Sequence, residues 1–232
     1  MRQFGMFAKY WQPGSVKTRL AATIGDLAAS RLYREFVQCL VERFQQIGDC
    51  RILAFAPPDA RAEFHALVPA SWELQPQCAG DLGTRMQHYF GQALEAGRRQ
   101  VLLIGSDSPT LPKVVVRQAF EALDQHQAVL GPTADGGYYL VGISGTVPPI
   151  FEGIDWSTDS VWQQTVDRLR AAGVTYAELP EWYDVDQAAD LQTLRAELAT
   201  PRCADIAPLA CLGRQLDKLV PAPKADRPPG ET

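Results

Sequence analysis

Three aspartates stand where a carboxylate could bind a cation. Asp107 closely follows an apolar run at 101–104, and a buried strand that ends in this way delivers an acid to a loop at the edge of a sheet. Asp184 and Asp186 alternate along the chain, so their side chains project to one side of an extended segment. Oxygen ligands without histidine or cysteine favour Mg²⁺ or Mn²⁺ over zinc. We therefore predict that Asp107, Asp184 and Asp186 bind one such ion, whereas the alternative is that Asp107 and Asp186 only cap a turn or a helix.

A second group of residues could bind phosphate. Lys9 follows the first apolar run, and Gly14 lies in a turn that leads to Lys17 and Arg19. Gly14 lets backbone amides approach a ligand, Lys17 offers a compact charge, and the forked guanidinium of Arg19 matches two phosphate oxygens. The order of these residues is not that of the Walker A loop. We predict that all four bind a nucleotide, with Lys17 and Arg19 on its diphosphate; the alternative is a solvated turn with two surface cations.

Glycines also surround an acid immediately before a predicted helix. Gly80, Asp81, Gly83 and Arg85 form a loop that could lie flat under a base or a ribose. We predict that these four residues bind the nucleotide as well. An ordinary helix start with Asp81 as its N-terminal cap explains the same spacing.

A further acid precedes a pair of glycines and an aromatic residue. Asp135 is followed by Gly136, Gly137 and Tyr138, and the two glycines leave open space beside the carboxylate. We predict that Asp135 is a general base and that the other three residues bind the acceptor. If the strands that precede Asp107 and Asp135 are parallel neighbours, both acids lie at the same edge of the sheet. An Asp-Gly hairpin turn explains this segment without a functional role.

Composition limits the classes of protein to which this chain could belong. Its 232 residues, 46% of them hydrophobic, are enough for one α/β domain with its own core. The formal net charge of −5 argues against binding to nucleic acid or to an anionic membrane, so an anionic ligand needs a local basic site or a metal. The five cysteines form no Cys-x-x-Cys pair, which favours a reducing cytoplasm over a disulfide framework. The N-terminal residues do not have the pattern of a signal peptide or a transmembrane helix.

Apolar runs alternate with helix-period segments, which predicts a single Rossmann-like α/β domain with a mostly parallel, mixed sheet and helices on both faces. We place this domain at residues 1–199. Residues 200–232 form a C-terminal extension that we expect to be disordered from about 221, with a weak amphipathic helix at 209–219. Ser157 is the expected N-terminal cap of the helix at 158–172. The expected strands are 4–8, 52–56, 101–104, 128–130, 138–143 and 174–179, and the other helices are 27–46, 84–96 and 188–198.

Taken in order, these segments resemble the bacterial nucleotide-diphospho-sugar-transferase-like family, which includes arsenosugar biosynthesis glycosyltransferases. The resemblance implies a glycosyltransferase A type fold and metal ligation by Asp107 together with Asp186 or Asp184. The run from Lys17 to Leu20 is similar to one in phospholactate guanylyltransferases. This chain departs from the family pattern at residues 10–12, which are Tyr-Trp-Gln, and at Ser108, where cysteine is common. The resembling segments are 7–9, 13–20, 80–86, 104–109, 131–142, 156–158 and 184–191.

Three functions are compatible with these residues. The first is a metal-dependent glycosyltransferase that takes a sugar nucleotide as donor and a small molecule as acceptor. The second is a nucleotidyltransferase, in which a phosphate-bearing substrate attacks a nucleoside triphosphate. The third is a nucleotide-binding regulatory protein without turnover. Both reactions stabilise charge on phosphate oxygens, so the same side chains serve either of them, and the sequence leaves the choice and the oligomeric state open.

Overall fold

A seven-stranded sheet forms the centre of the protein in a computed structural model that describes residues 1–221. The strand order is β3-β2-β1-β4-β6-β5-β7. Strand β6 runs antiparallel to both of its neighbours, and the other neighbouring strands pair in parallel. The strands are β1 Arg2–Lys9, β2 Cys50–Ala56, β3 Glu73–Pro76, β4 Gln100–Ile104, β5 Ala128–Pro132, β6 Tyr138–Ser144 and β7 Tyr176–Glu178.

Helices connect most of these strands and cover both faces of the sheet. In β4, Leu102 and Ile104 join a buried cluster with side chains of α2, whereas Val101 and Leu103 join a cluster with side chains of α4 on the opposite face. Alternate residues of a strand point to opposite faces, so an uninterrupted apolar run needs cover on both sides. The predicted fold class is therefore confirmed. The helices are α1 Thr18–Ile24, α2 Asp26–Arg43, α3 Arg61–Leu67, α4 Leu82–Glu95, α5 Lys113–Ala122, α6 Val161–Ala171, α7 Ala188–Leu198, α8 Pro201–Ala204 and α9 Ala207–Leu219.

The details differ from the sequence-based expectation at several points. Ser157 is not the N-terminal cap of α6: the helix begins at Val161 after Ser160, and Ser157 lies in the preceding loop with a φ of 68°. Strands β4 and β5 are not neighbours, because β6 lies between them. The short elements α1 and β3 were not expected, since neither spans enough residues to display a clear period.

The described part of the C-terminal extension packs on the domain. Helix α9 contacts α2, and Leu209, Leu212 and Leu216 are each only 1% exposed within the same buried cluster as α2. The expected disorder beyond about residue 221 lies outside the described residues. Within residues 1–221, no helix is both long and apolar enough to cross a membrane.

We expect helix α9 to contribute to the stability of the whole domain. Replacing Leu212 by alanine should lower the free energy of unfolding by about 2–5 kcal/mol, because it leaves a cavity between α9 and α2. Lys218→Ala, at an exposed position of the same helix, should change it by less than about 0.5 kcal/mol. Urea unfolding of both variants measures the difference, and equal midpoints would show that α9 is not part of the cooperative unit.

Candidate functional site

A cleft of about 900 Å³ lies at the edge of the sheet where β1, β4 and β5 end and β6 begins. Parallel strands bring the loops that follow them to one edge, which is where ligands bind in open α/β sheets. The structure thereby gathers most of the predicted site residues in one place. Those that line the cleft are Lys9, Lys17, Arg19, Asp81, Arg85, Asp107, Asp135, Gly137, Tyr138, Asp184 and Asp186.

Four of the predicted glycines are not part of this lining, and two of them have a clear packing role. A Cβ atom on Gly83 would lie 2.2 Å from the carbonyl oxygen of Phe151. A Cβ atom on Gly136 would lie 2.2 Å from the carbonyl oxygen of Asp159, and Gly136 has a φ of 86°. Both glycines thus allow two backbone segments to approach closely. Gly14 and Gly80 lie in turns with φ of 77° and 117°, outside the cleft lining.

Lys17 is the central cation of the site. Its Nζ atom lies 2.8 Å from Oδ1 of Asp186 and also forms an ion pair with Oδ1 of Asp107. The lysine side chain is only 3% exposed, whereas those of Asp107 and Asp186 are 40% and 38% exposed. Burial alone would lower the pKa of Lys17, but the two carboxylates outweigh it and raise the pKa above its ordinary value. Lys17 is therefore a buried ammonium between two acids that face the cleft.

Asp184 is the third acid at this position. Burial, followed by repulsion from Asp107, raises the pKa of Asp184 to about 7 against the opposing hydrogen bond from Ser108. The Ser108 hydroxyl donates that bond to Oδ1 of Asp184 over 2.5 Å. The backbone N–H of Val185 donates to the carbonyl oxygen of Asp107 over 2.9 Å, which ties the two acid-bearing loops together. The structure thus brings the three predicted metal ligands to one point.

Two residues of α2 that were not predicted from the sequence hold these loops in place. The Tyr33 hydroxyl accepts from the backbone N–H of Lys9 over 3.0 Å and lies 2.6 Å from the Ser106 hydroxyl. Burial raises the pKa of Tyr33 to about 12, so it stays protonated at neutral pH. The buried Arg43 guanidinium donates to the carbonyl oxygens of Pro109 and Leu111, the latter over 2.8 Å. The one sequence signal for Arg43 is its position on the apolar stripe of α2.

Asp135 lies in a tight turn at the other side of the cleft. One of its oxygens, Oδ1, accepts from the Thr133 hydroxyl over 2.6 Å and from the N–H of Gly137 over 3.3 Å. These bonds are typical of an aspartate that stabilises a turn. The residue is nevertheless exposed and lines the cleft. The strands before Asp107 and Asp135 are not neighbours, because β6 lies between them, yet both acids reach the same cleft.

The segment that precedes α6 completes this side of the cleft. Trp156 and Tyr138 meet edge to face with their ring centres 6.4 Å apart. The N–H of Trp162 donates to the carbonyl oxygen of Gly136 over 2.7 Å, so the segment is fixed against the turn that carries Asp135. Asp159 is exposed and also lines the cleft. In the sequence, residues 156–158 stood out as a point of resemblance, and Ser157 as a helix cap, but none of them was given a role in the site.

Comparison with known proteins is consistent with this geometry. The sequence profile of the family described as "Uncharacterized protein conserved in bacteria (DUF2064)" matches residues 40–158. A crystal structure of a "putative nucleotide-diphospho-sugar transferase" from Desulfovibrio desulfuricans G20 is 35% identical to the chain, with a TM-score of 0.86, and the match covers 94% of this chain and 96% of that one. The chain belongs to the DUF2064 family. The predicted resemblance to nucleotide-diphospho-sugar-transferase-like proteins is confirmed.

Two more distant structures share the fold of this DUF2064 protein. A nucleotidyl transferase from Methanothermobacter thermautotrophicus has a TM-score of 0.60 at 14% identity, covering 85% of this chain and 97% of that one. The 4-diphosphocytidyl-2C-methyl-D-erythritol synthase from Anaerococcus prevotii has a TM-score of 0.56 at 13% identity, covering 86% and 96%. At these identities the likeness concerns the fold alone. No curated protein matches the sequence significantly.

The three acids of the DUF2064 protein fit a hard divalent cation in their donor chemistry. Carboxylate oxygens are the ligands that Mg²⁺ and Mn²⁺ prefer. Among the described residues, however, no group of three histidine, cysteine or acidic side chains is arranged as a ready metal site. The Lys17 ammonium occupies the position between Asp107 and Asp186. Asp107, Asp184 and Asp186 could therefore hold an ion once the lysine has moved away.

The raised pKa of Asp184 makes stability depend on pH in the absence of divalent ions. An acid with a higher pKa in the folded than in the unfolded chain binds more protons when folded, so stability falls as pH rises between the two values. We expect the melting temperature in chelator to fall as pH rises from about 4, the value for a free aspartate, and to level off above about 7.

Asp184→Asn should flatten this pH dependence and raise stability above neutral pH, because the amide carries no charge to bury. Asp159→Asn, at an exposed carboxylate of the same cleft, should keep the profile of the unchanged protein. Thermal melts of the three proteins in chelator between pH 4.5 and 8.5 supply the comparison. Parallel profiles for all three would assign the raised pKa to another residue or to none.

Proposed function

We propose that this DUF2064 protein is a transferase that uses a nucleotide-activated donor, and that the donor is a sugar nucleotide. The observation that carries the proposal is the distribution of charge in the cleft. One side carries the cations Lys9 and Arg19 beside acids that suit a divalent ion, and the other side is lined by oxygen acceptors. The similarity to the Desulfovibrio protein, over nearly the whole of both chains, supports the same class of donor.

The loop after β1 supplies charges that suit a diphosphate. Lys9 and Arg19 are exposed, line the cleft and take no part in an ion pair within residues 1–221. In a chain with a net charge of −5, such local cations are needed to attract an anionic ligand. A divalent ion held by Asp107, Asp184 and Asp186 would add charge that stabilises the leaving diphosphate. These residues would bind and orient the donor so that its sugar carbon faces the opposite side of the cleft.

The opposite side favours an acceptor that donates hydrogen bonds. Asp135 and Asp159 present exposed carboxylates there, beside the rings of Tyr138 and Trp156. A hydroxyl group can donate to these oxygens and its carbon skeleton can pack on the rings. A phosphate would instead be repelled by the two carboxylates. This contrast favours transfer of a sugar to a hydroxyl over transfer of a nucleotidyl group to a phosphate-bearing substrate.

Product analysis separates the three candidate functions. Purified protein with Mg²⁺ or Mn²⁺ is incubated with a panel of sugar nucleotides and, separately, with nucleoside triphosphates, and nucleoside diphosphate and pyrophosphate are quantified. We expect nucleoside diphosphate to be released from a sugar nucleotide and this release to be lost in Asp107→Ala. Release of pyrophosphate from a triphosphate would identify a nucleotidyltransferase instead. Tight nucleotide binding without either product would indicate a regulatory protein.

Asp135 is the residue we assign to deprotonation of the acceptor hydroxyl. Asparagine forms the same type of turn as aspartate but cannot accept a proton, so Asp135→Asn should preserve the loop. We expect turnover to fall by about 10²–10⁴-fold while the affinity for the donor is retained. The matched variant Asp159→Asn changes a neighbouring exposed carboxylate and should have a much smaller effect.

Steady-state rates and calorimetric binding of the sugar nucleotide check this assignment. Near-native turnover in Asp135→Asn would leave Asp135 as a turn residue only. Loss of donor binding in this variant would place Asp135 with the donor-binding residues rather than with the acceptor.

A further inference from the structure

Lys17 bonds one oxygen of each of two acids that would hold a metal ion. Its Nζ atom contacts Oδ1 of both Asp107 and Asp186. Lys9 and Arg19 come from the same loop region but bond neither acid within the described residues. Mg²⁺ binds carboxylate oxygens at about 2.0–2.1 Å, which leaves no room for an ammonium nitrogen within hydrogen-bond distance on the inner side of the same oxygens. An ion bound through these two Oδ1 atoms and the lysine therefore compete for the same place.

The ion pairs also explain how the acids stay together without a metal. Two carboxylates that share a site repel each other, and an ammonium between them replaces repulsion by attraction. The same ammonium is itself buried, with the faces of Tyr33 and Phe36 about 6 Å away, so leaving the acids without a new partner would be costly. Once displaced, the ammonium must reach either water or a second anionic partner.

The position of Lys17 at the cleft would let its ammonium reach such a partner. The residue stands immediately before α1 in a left-handed conformation with a φ of 49°, and Lys17, Thr18 and Arg19 all line the cleft. Its four-carbon stem can rotate about a fixed backbone, so the ammonium can change partners without unfolding the loop. Under the proposed function, the adjacent Arg19 would bind the diphosphate of the donor, which could then serve as that partner.

We propose that Lys17 is an exchangeable cation: it neutralises Asp107 and Asp186 until a divalent ion binds them, and the ion releases it to the phosphates of the donor. This proposal rests on the proposed function for the identity of the second partner. It makes metal and diphosphate binding mutually favourable, because each removes a competitor of the other, and such coupling is reciprocal. No bond is made or broken in the exchange.

The exchange is tested first with Mn²⁺ alone, by electron paramagnetic resonance of the free ion. Lys17→Met keeps an unbranched side chain that is one atom shorter and removes its charge. We expect Mn²⁺ to bind this variant at least about tenfold more tightly than the unchanged protein, because no ammonium has to be displaced. The matched variant Lys9→Met removes one charge from the same cleft without touching the acids, and should change the affinity less than about threefold.

A second measurement uses the unchanged protein and so does not depend on the folding of a variant. A short pulse of acetic anhydride, followed by mass spectrometry, reports the reactivity of each lysine. Lys17 should react slowly in chelator, several-fold faster with Mn²⁺, and slowly again with Mn²⁺ and inorganic pyrophosphate. Lys113, which is exposed on α5, should react equally in all three conditions.

Equal Mn²⁺ affinity in the unchanged protein and Lys17→Met overturns the proposal, as does Lys17 reactivity that Mn²⁺ does not alter. An equal increase in Mn²⁺ affinity in Lys17→Met and Lys9→Met also overturns it, because the increase would then come from the loss of any positive charge in the cleft. None of these outcomes bears on whether the protein turns over a sugar nucleotide. Conversely, Mn²⁺-dependent release of Lys17 in a protein that turns over no nucleotide would contradict the proposed function but not the exchange.

Discussion

The contact of one buried ammonium with two acids organises this site. Lys17, Asp107 and Asp186 come from three remote parts of the chain: the loop after β1, the loop after β4 and the segment before α7. Removing water from a lysine is costly unless its charge is balanced, and two carboxylates placed together repel unless a cation lies between them. Each charged group thus stabilises the other two in their positions. The parallel strands bring the three loops to one edge, and Tyr33 and Arg43 hold two of the loops against α2.

The antiparallel strand β6 determines what faces this cation. Because β6 begins at the edge where its neighbours end, the turn between β5 and β6 points into the cleft. Gly136 then allows the backbone of Asp159 to approach the turn, which brings the segment with Trp156 to the same side. The Asp135 side of the cleft is therefore built by packing between two loops, whereas the Lys17 side is built by ion pairs among the loop after β1, the loop after β4 and the segment before α7.

These differences explain what could be predicted from the sequence. Asp107 could be predicted as a site residue because an apolar run precedes it. Asp184 and Asp186 could be predicted because they alternate along an extended segment, and both signals are local patterns in the sequence. The ion pair of Lys17 is not local: its partners are 90 and 169 residues away in sequence, and a lysine in a turn is ordinarily solvated. Strand order is likewise set by competition among pairings, so the insertion of β6 between β4 and β5 could not be deduced. Gly83 and Gly136 were predicted as ligand-binding glycines. Their close contacts with the backbone of Phe151 and Asp159 depend on the fold and could not be predicted from the sequence.

Charge balance connects the two sides of the cleft. Three acids share one buried cation, which leaves an excess of negative charge, and the pKa of Asp184 is raised by burial and by this repulsion. A bound proton or a divalent ion reduces the excess. Under the proposed exchange, a divalent ion would supply positive charge, and the lysine it displaces would then serve an anionic donor. Positive charge at this place would suit both glycosyl and nucleotidyl transfer, because in either reaction charge develops on phosphate oxygens. The two reactions differ in the acceptor. The exposed carboxylates of Asp135 and Asp159 would repel a phosphate group, whereas they can accept a hydrogen bond from a hydroxyl group.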